Sequence, residues 1–171
     1  GKSTNYFENG QMESDINYKN GKKIGNFTQY DENGKIRYEG NYKDGKRDGK
    51  LTNYYKNGQI YSVENYENGE LDGNSTNYYE NRQIKVEGNY KDGKKDGKWI
   101  IFYDGGETYM ESNYKGGTLS GPKVQYYIDG SIKFKKKYKD NILHGEYTTY
   151  YKEGELHRRG NWKDGLKAGK W

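Results

Sequence analysis

The sequence predicts an all-β fold: an elongated, single antiparallel meander sheet of stacked β-hairpins built from 24-residue repeats. Three observations carry that prediction. A glycine anchors every copy, at Gly1, Gly25, Gly49, Gly73, Gly97, Gly121, Gly145 and Gly169, with no insertion or deletion between anchors. Self-similarity at a fixed period of this length marks a repeat architecture in which each unit docks on the last in the same way. Within each copy apolar and polar residues alternate with a period of two, and glycine recurs too often for helix. Composition excludes a globule with a thick core, since hydrophobic residues are 29% and charged residues 32%, while 16% aromatics in strict order is not the signature of disorder.

The anchors define seven whole copies, 1–24, 25–48, 49–72, 73–96, 97–120, 121–144 and 145–168, and a partial copy, 169–171. The chain 1–171 therefore reads as a single repeat array with no linker or second domain. Positions within a copy are numbered 1 to 24. Positions 2 to 7 and 11 to 18 are rich in Tyr, Thr, Ile and Val and read as strands. Position 6 is Tyr6, Tyr30, Tyr54, Tyr78, Phe102, Tyr126 and Tyr150; position 18 is tyrosine from Tyr18 to Tyr138, then Trp162. The first turn (ENG, KNG, KEG and similar) reads as a three-residue loop ending in a left-handed glycine, pairing 7 with 11 and 6 with 12. A two-residue Asn-Gly turn would put Tyr at 6 and Ile at 12 on opposite faces. Treating the second turn (KDG, KNG, ENG) like the first places positions 4, 6, 12, 14, 16 and 18 on one apolar face. About 14 strands at roughly 4.8 Å spacing give a sheet on the order of 65 Å. One hairpin alone is marginal in water, so no folded unit smaller than two or three copies is expected. Neither end carries an atypical capping copy, so end-to-end self-association is expected as well.

The phrases from Tyr42 to Gly58 and from Tyr90 to Gly106 resemble the bacterial variant of the MORN repeat, whose copies read roughly DGK-x-DGKW-x-x-YYENG. The resemblance covers the chain from Gly1 to Trp171. It implies consecutive β-hairpins and no shared active site. Many bacterial members are labelled YwqK-like antitoxins, and others are surface or exported proteins. Departures are clearest in copy six, at Pro122, in the run Lys133 to Lys139, and at Asn141.

The residues offer no catalytic constellation. There is no cysteine. His144 and His157 fall at different repeat positions without metal-ligand spacing. Asp44/Asp48 and Asp92/Asp96 lack the alternation of a calcium loop and read as turn formers. No glycine-rich cradle joins a strand to a helix, and no serine sits in a nucleophile elbow. No cofactor and no enzyme activity are expected. The chain starts without Met, signal peptide or transmembrane run and stops three residues into a copy, so it reads as part of something longer.

The leading functional reading is a non-catalytic scaffold that binds another protein. The alternatives are the antitoxin of a toxin–antitoxin pair and a glycan or cell-surface module. Against the glycan reading, tryptophan occurs only at Trp99, Trp162 and Trp171, not at one set site. Copy six holds six lysines against two aspartates, which favours an acidic partner. The predicted register puts Lys123 opposite Lys135, with Lys133 and Lys137 on the same face and Tyr127, Tyr147 and Tyr151 framing them. These seven residues form the candidate binding site. Phe7, Tyr55, Tyr79, Tyr103, Tyr127 and Tyr151 at position 7 read either as packing on lysine stems or as a stacking surface. Nucleic acid is not an expected partner, and membrane-surface binding would be weak.

Overall fold

The computed structural model describes residues 1–169; Lys170 and Trp171, the end of the partial copy, lie outside the described residues. The fold is all-β, with 16 strands and no helix among the described residues. The chain divides into two compact units, Gly1–Arg82 and a second from Gln83 onward.

The first unit comprises β1 (Lys2–Tyr6), β2 (Met12–Lys19), β3 (Lys22–Tyr30), β4 (Ile36–Lys43), β5 (Lys46–Arg47), β6 (Gly49–Tyr54), β7 (Ile60–Glu67) and β8 (Glu70–Tyr78). Neighbours follow chain order, except that the two-residue β5 pairs with β4 beside β6. The second unit comprises β9 (Ile84–Lys91), β10 (Lys94–Phe102), β11 (Thr108–Lys115), β12 (Thr118–Tyr126), β13 (Ile132–Lys139), β14 (Ile142–Tyr150), β15 (Leu156–Lys163) and β16 (Leu166–Ala168), again in chain order. Every pairing within either unit is antiparallel.

The first turn has the predicted geometry. The amide of residue 7 donates to the carbonyl of residue 11 (Phe7 to Gln11 2.8 Å, Tyr103 to Glu107 2.8 Å), and 6 pairs with 12. Position 10 is left-handed throughout, and Arg82, which replaces the usual glycine, keeps the same conformation at φ 71°. The second turn differs from the expectation. It has two residues, with 19 paired to 22 and both central residues at positive φ, as in Asn20 (51°) and Gly21 (75°). This is the turn whose twist matches antiparallel strands, and Asn-Gly or Asp-Gly supplies it. Successive second turns are laced together: Gly45 N–H donates to the Lys23 carbonyl and Gly69 N–H to that of Arg47.

Two irregularities per copy overturn the predicted face. A bulge follows position 12, so that 6 pairs with 12 but 5 pairs with 14 and 4 with 15. A second shift precedes position 3: Asn17 pairs with Ile24, but Ile16 pairs with Phe27, and Gly25 and Asn26 are left over. An extra residue on one strand switches the side-chain alternation beyond it. Positions 14, 16 and 18 therefore leave the face of 4, 6 and 12 and join 3 and 5. The tyrosines at 6 and 18 lie on opposite faces rather than in one spine. The second shift also explains the unbroken glycine anchor. Position 1 sits in it at positive φ in every described copy after the first, from 67° at Gly25 to 105° at Gly121. Asparagine at 17 serves the same spot, donating from its amide to carbonyls around the shift: Asn65 to Asn74 at 2.7 Å and Asn113 to Pro122 at 3.0 Å. Pro122 is accommodated because residues 120–122 have no partner on β11, where Leu119 pairs with Tyr114 and Lys123 with Ser112.

The core is a row rather than a volume. Positions 3 and 16 alternate across the strands: Ser3, Ile16, Phe27 and Gly40, then Leu51, Glu64 and Ser75 in the first unit. Phe27, Leu51 and Trp99 are its buried apolar side chains. Large residues meet small ones. A Cβ on Gly40 would lie 2.9 Å from Leu51 and 3.0 Å from Phe27, and one on Gly88 would lie 2.2 Å from the Trp99 indole. Tyrosines of position 18 close over the row, with Phe27 and Tyr42 ring centroids 4.5 Å apart and Tyr90 and Trp99 5.1 Å apart. The side carrying this row is termed the core face, and the other the back face.

Candidate functional site

Copy six occupies β12, β13 and the start of β14 in the second unit. Its register is Pro122 opposite Lys137, Lys123 opposite Lys136, Val124 opposite Lys135 and Gln125 opposite Phe134. The expected Lys123–Lys135 pair does not form, because the bulge after Ile132 shifts the strand by one residue. Lys136 also pairs with Tyr147 on β14. Residues directly opposite share a face, so Lys123, Lys136 and Tyr147 stand side by side in the core row.

The remaining candidates divide between the faces. Lys133 stays on the core face, its ammonium 5.5 Å from the Tyr127 ring centre. The same pairing of positions 7 and 13 recurs as Tyr103 with Tyr109 (5.0 Å) and Tyr151 with His157 (4.5 Å). Lys135 and Lys137 point to the back face; the Lys137 stem covers Gly145, 3.2 Å from where a Cβ would be. Lys123, Lys133, Tyr127, Tyr147 and Tyr151 are thus brought onto one face, and Lys135 and Lys137 are separated from them.

Lys136 is the residue the sequence reading missed. It is half-buried, with its ammonium 4.2 Å from the Phe134 ring centre and 5.4 Å from that of Tyr147. Burial, and then Lys123 beside it, hold it below the usual lysine range. Lys95 repeats the arrangement 4.1 Å over Trp99, and burial lowers it too. Contact of ammonium with ring faces is favourable and orients both groups.

The position 7 tyrosines have a structural task. Tyr55 donates its hydroxyl to the Tyr78 carbonyl at 2.6 Å, Tyr103 to Tyr126 at 3.1 Å and Tyr127 to Tyr150 at 3.2 Å. Each ties a first turn to the next copy. The two histidines are likewise placed by neighbours: His144 Nδ1 lies 3.2 Å from an Asp164 carboxylate oxygen, and His157 stacks on Tyr151. Asp44 and Asp92 are left-handed turn residues as expected, whereas Asp48 lies past the turn, between β5 and β6, and Asp96 lies within β10 opposite Asn89.

Charge is sorted by face in the second unit. Its strand carboxylates Glu87, Asp96, Glu111 and Glu146 fall at back-face positions, where Glu111 pairs with Lys98 and Glu146 with Arg159, both at 2.8 Å. The core-face strand positions carry Lys85, Lys95, Lys123, Lys133, Lys136, Arg158 and Lys167 and, among the described residues, no Asp or Glu. None of the five copy-six lysines from Lys123 to Lys137 has a carboxylate in salt-bridge range among the described residues. The arrangement offers cations seated among aromatic rings on an open sheet. It can hold an anionic group, and it presents no nucleophile with a base.

Comparison with known proteins agrees with the repeat geometry. The family described as MORN repeat variant matches residues 1–20, 23–44, 47–68, 71–92, 95–115 and 143–164. Residues 116–142 lie between matched segments, so the family pattern does not run through copy six as it does through the others. No curated protein matches the chain. Among solved structures, one titled "Crystal structure of GtfA/B complex bound to UDP and GlcNAc" aligns with 66% of this chain at 10% identity and a TM-score of 0.28. The aligned part is 22% of that protein's chain.

Proposed function

The chain belongs to the MORN repeat variant family, and on that premise we propose that it is a non-catalytic scaffold whose second unit holds an acidic protein on its core face. The observation that carries this reading is the sorting of charge: core-face strands of that unit hold cations and rings without a carboxylate, while the strand carboxylates lie on the back face, two of them paired there with Lys98 and Arg159. Complementary potential across an interface raises association rate and selects partners. Repeat sheets supply long surfaces for such contacts. An antitoxin of the YwqK-like kind would be one such binder, its acidic partner being a toxin.

The test is capture by the immobilised chain from its native source, repeated with two variants. Lys123→Gln/Lys133→Gln/Lys136→Gln removes the copy-six lysines of the core face; Lys135→Gln/Lys137→Gln removes those of the back face at 135 and 137. The proposal expects an acidic protein that is retained by the back-face variant, lost by the core-face variant and released by salt. A toxin among the captured proteins would make the chain its antitoxin. Retention by both variants, or capture of glycan in place of protein, would overturn the proposal.

A further inference from the structure

Position 16 of the core row holds a small residue beside each of the large ones at Gly40, Gly88, Ser112 and Gly160. Copy six puts a lysine at both positions of the row, side by side. Lys123 stands where three other copies have Phe27, Leu51 and Trp99, and the residue opposite it on β13 is a second lysine. Like charges directly opposite on a sheet repel. Both side chains are half-buried, and the Lys136 ammonium is held between Phe134 and Tyr147 rather than released to solvent. The Lys136 ammonium thus sits among rings, with Lys123 near enough to repel it and, among the described residues, no carboxylate in salt-bridge range of either.

We infer that Lys123 and Lys136 form a clamp for the carboxylate of an Asp or Glu side chain in an acidic polypeptide. The inference rests on the protein-binding reading and names its central contact. Single-anion ligands use the clamp alone. A polypeptide also reaches Lys95 on β10 and Arg158 on β15, each two strands away, or about 10 Å at ordinary strand spacing. Three cationic stations across the same face suit a chain with several carboxylates. The rings of Phe134 and Tyr147 receive the short aliphatic stem behind the carboxylate. Burial of Lys136 strengthens the attraction by thinning the water around it.

The experiment titrates the full chain at low salt with a hexaglutamate peptide, with inorganic phosphate, and with phosphatidylserine vesicles. Hexaglutamate should bind the native chain. Lys123→Gln/Lys136→Gln should weaken it at least tenfold, and Lys135→Gln/Lys137→Gln, which removes the same charge, less than twofold. Equal losses in the two variants would reduce the effect to net charge and overturn the clamp. So would phosphate binding as tightly as the peptide, or binding to vesicles but not to peptide. Circular dichroism of both variants separates loss of the clamp from loss of fold. The capture experiment uses no peptide, so protein binding can survive there while the clamp fails here.

Discussion

Charge enters the core row at two places, and the two are handled differently. In the first unit Glu64 occupies position 16 opposite Leu51. The Tyr66 hydroxyl donates to it at 3.2 Å, and the Arg47 guanidinium lies 5.5 Å from the Tyr66 ring centre. The carboxylate thus has a donor, that donor's ring carries a cation, and its partner on β6 in the row is apolar. In the second unit Lys136 occupies the same position opposite Lys123, with rings around it and no carboxylate. The backbone template is indifferent to the substitution, because turns, bulges and laced edges set it. What differs is whether the charge is answered from within the fold. Glu64 is answered; Lys136 is left for something outside.

Substitutions at matched positions probe that contrast. The largest effect is expected at position 3. Trp99→Ala removes a buried indole whose Nε1–H also donates to the Asn89 carbonyl at 3.2 Å. It should destabilise the second unit by about 3–5 kcal/mol in urea unfolding. Lys123→Ala, at the same position one copy on, should change stability by no more than about 0.5 kcal/mol. Equal losses at the two would mean that Lys123 is a core residue like Trp99, and the contrast would collapse.

Position 16 gives the next effect. Gly88→Ala drives a Cβ against the indole face, 2.2 Å away, and the ring must move. Overpacking of this kind costs about 1–3 kcal/mol. Lys136→Ala should instead stabilise by some tenths of a kcal/mol, on the order of one unfavourable cross-strand pair. A Lys136→Ala chain that melts lower than the native protein would show that the ammonium–ring contacts outweigh the repulsion.

A smaller effect separates the copies at position 17. Asn65→Ala leaves the Asn74 carbonyl without its side-chain donor and should cost about 1 kcal/mol. Lys137→Asn restores the repeat residue in copy six and should gain no more than that. A loss on Lys137→Asn, read from the same denaturant midpoints, would give Lys137 a structural task on the back face.

The period, the strands and the first turn were legible because each has a local signal: a glycine at fixed spacing, alternation, and a left-handed residue at position 10. The second turn was misread because Asp-Gly and Asn-Gly suit two-residue and three-residue loops alike. The bulges were not legible by eye, since the glycine at position 1 looks like one more turn glycine. Two signals could have found them. Asparagine at 17 recurs with that glycine, as a side-chain donor beside a shifted ladder requires. Size at position 3 trades with size at position 16, as in Phe27 with Gly40 and Trp99 with Gly88. Missing the bulge moved Lys136 to the wrong face and joined Lys135 to Lys123. Position 7 tyrosines read either as packing on lysine stems or as an exposed stacking row, and their hydroxyl bonds to the next copy's backbone are long-range facts that no local pattern records.

The register of copy six is the central claim, and the absence of native cysteine makes it directly testable. Two double variants, Lys123→Cys/Lys136→Cys and Lys123→Cys/Lys135→Cys, are exposed to mild oxidation while folded, and the fraction bridged within one chain is read by mass spectrometry. Directly opposed strand residues lie within disulfide reach, whereas neighbours on opposite faces point apart. Rapid bridging of 123 with 136, with 123 and 135 bridging only after denaturation, is the result the bulged register predicts. Rapid bridging of 123 with 135 in the folded chain would contradict it and return both lysines to one face without Lys136.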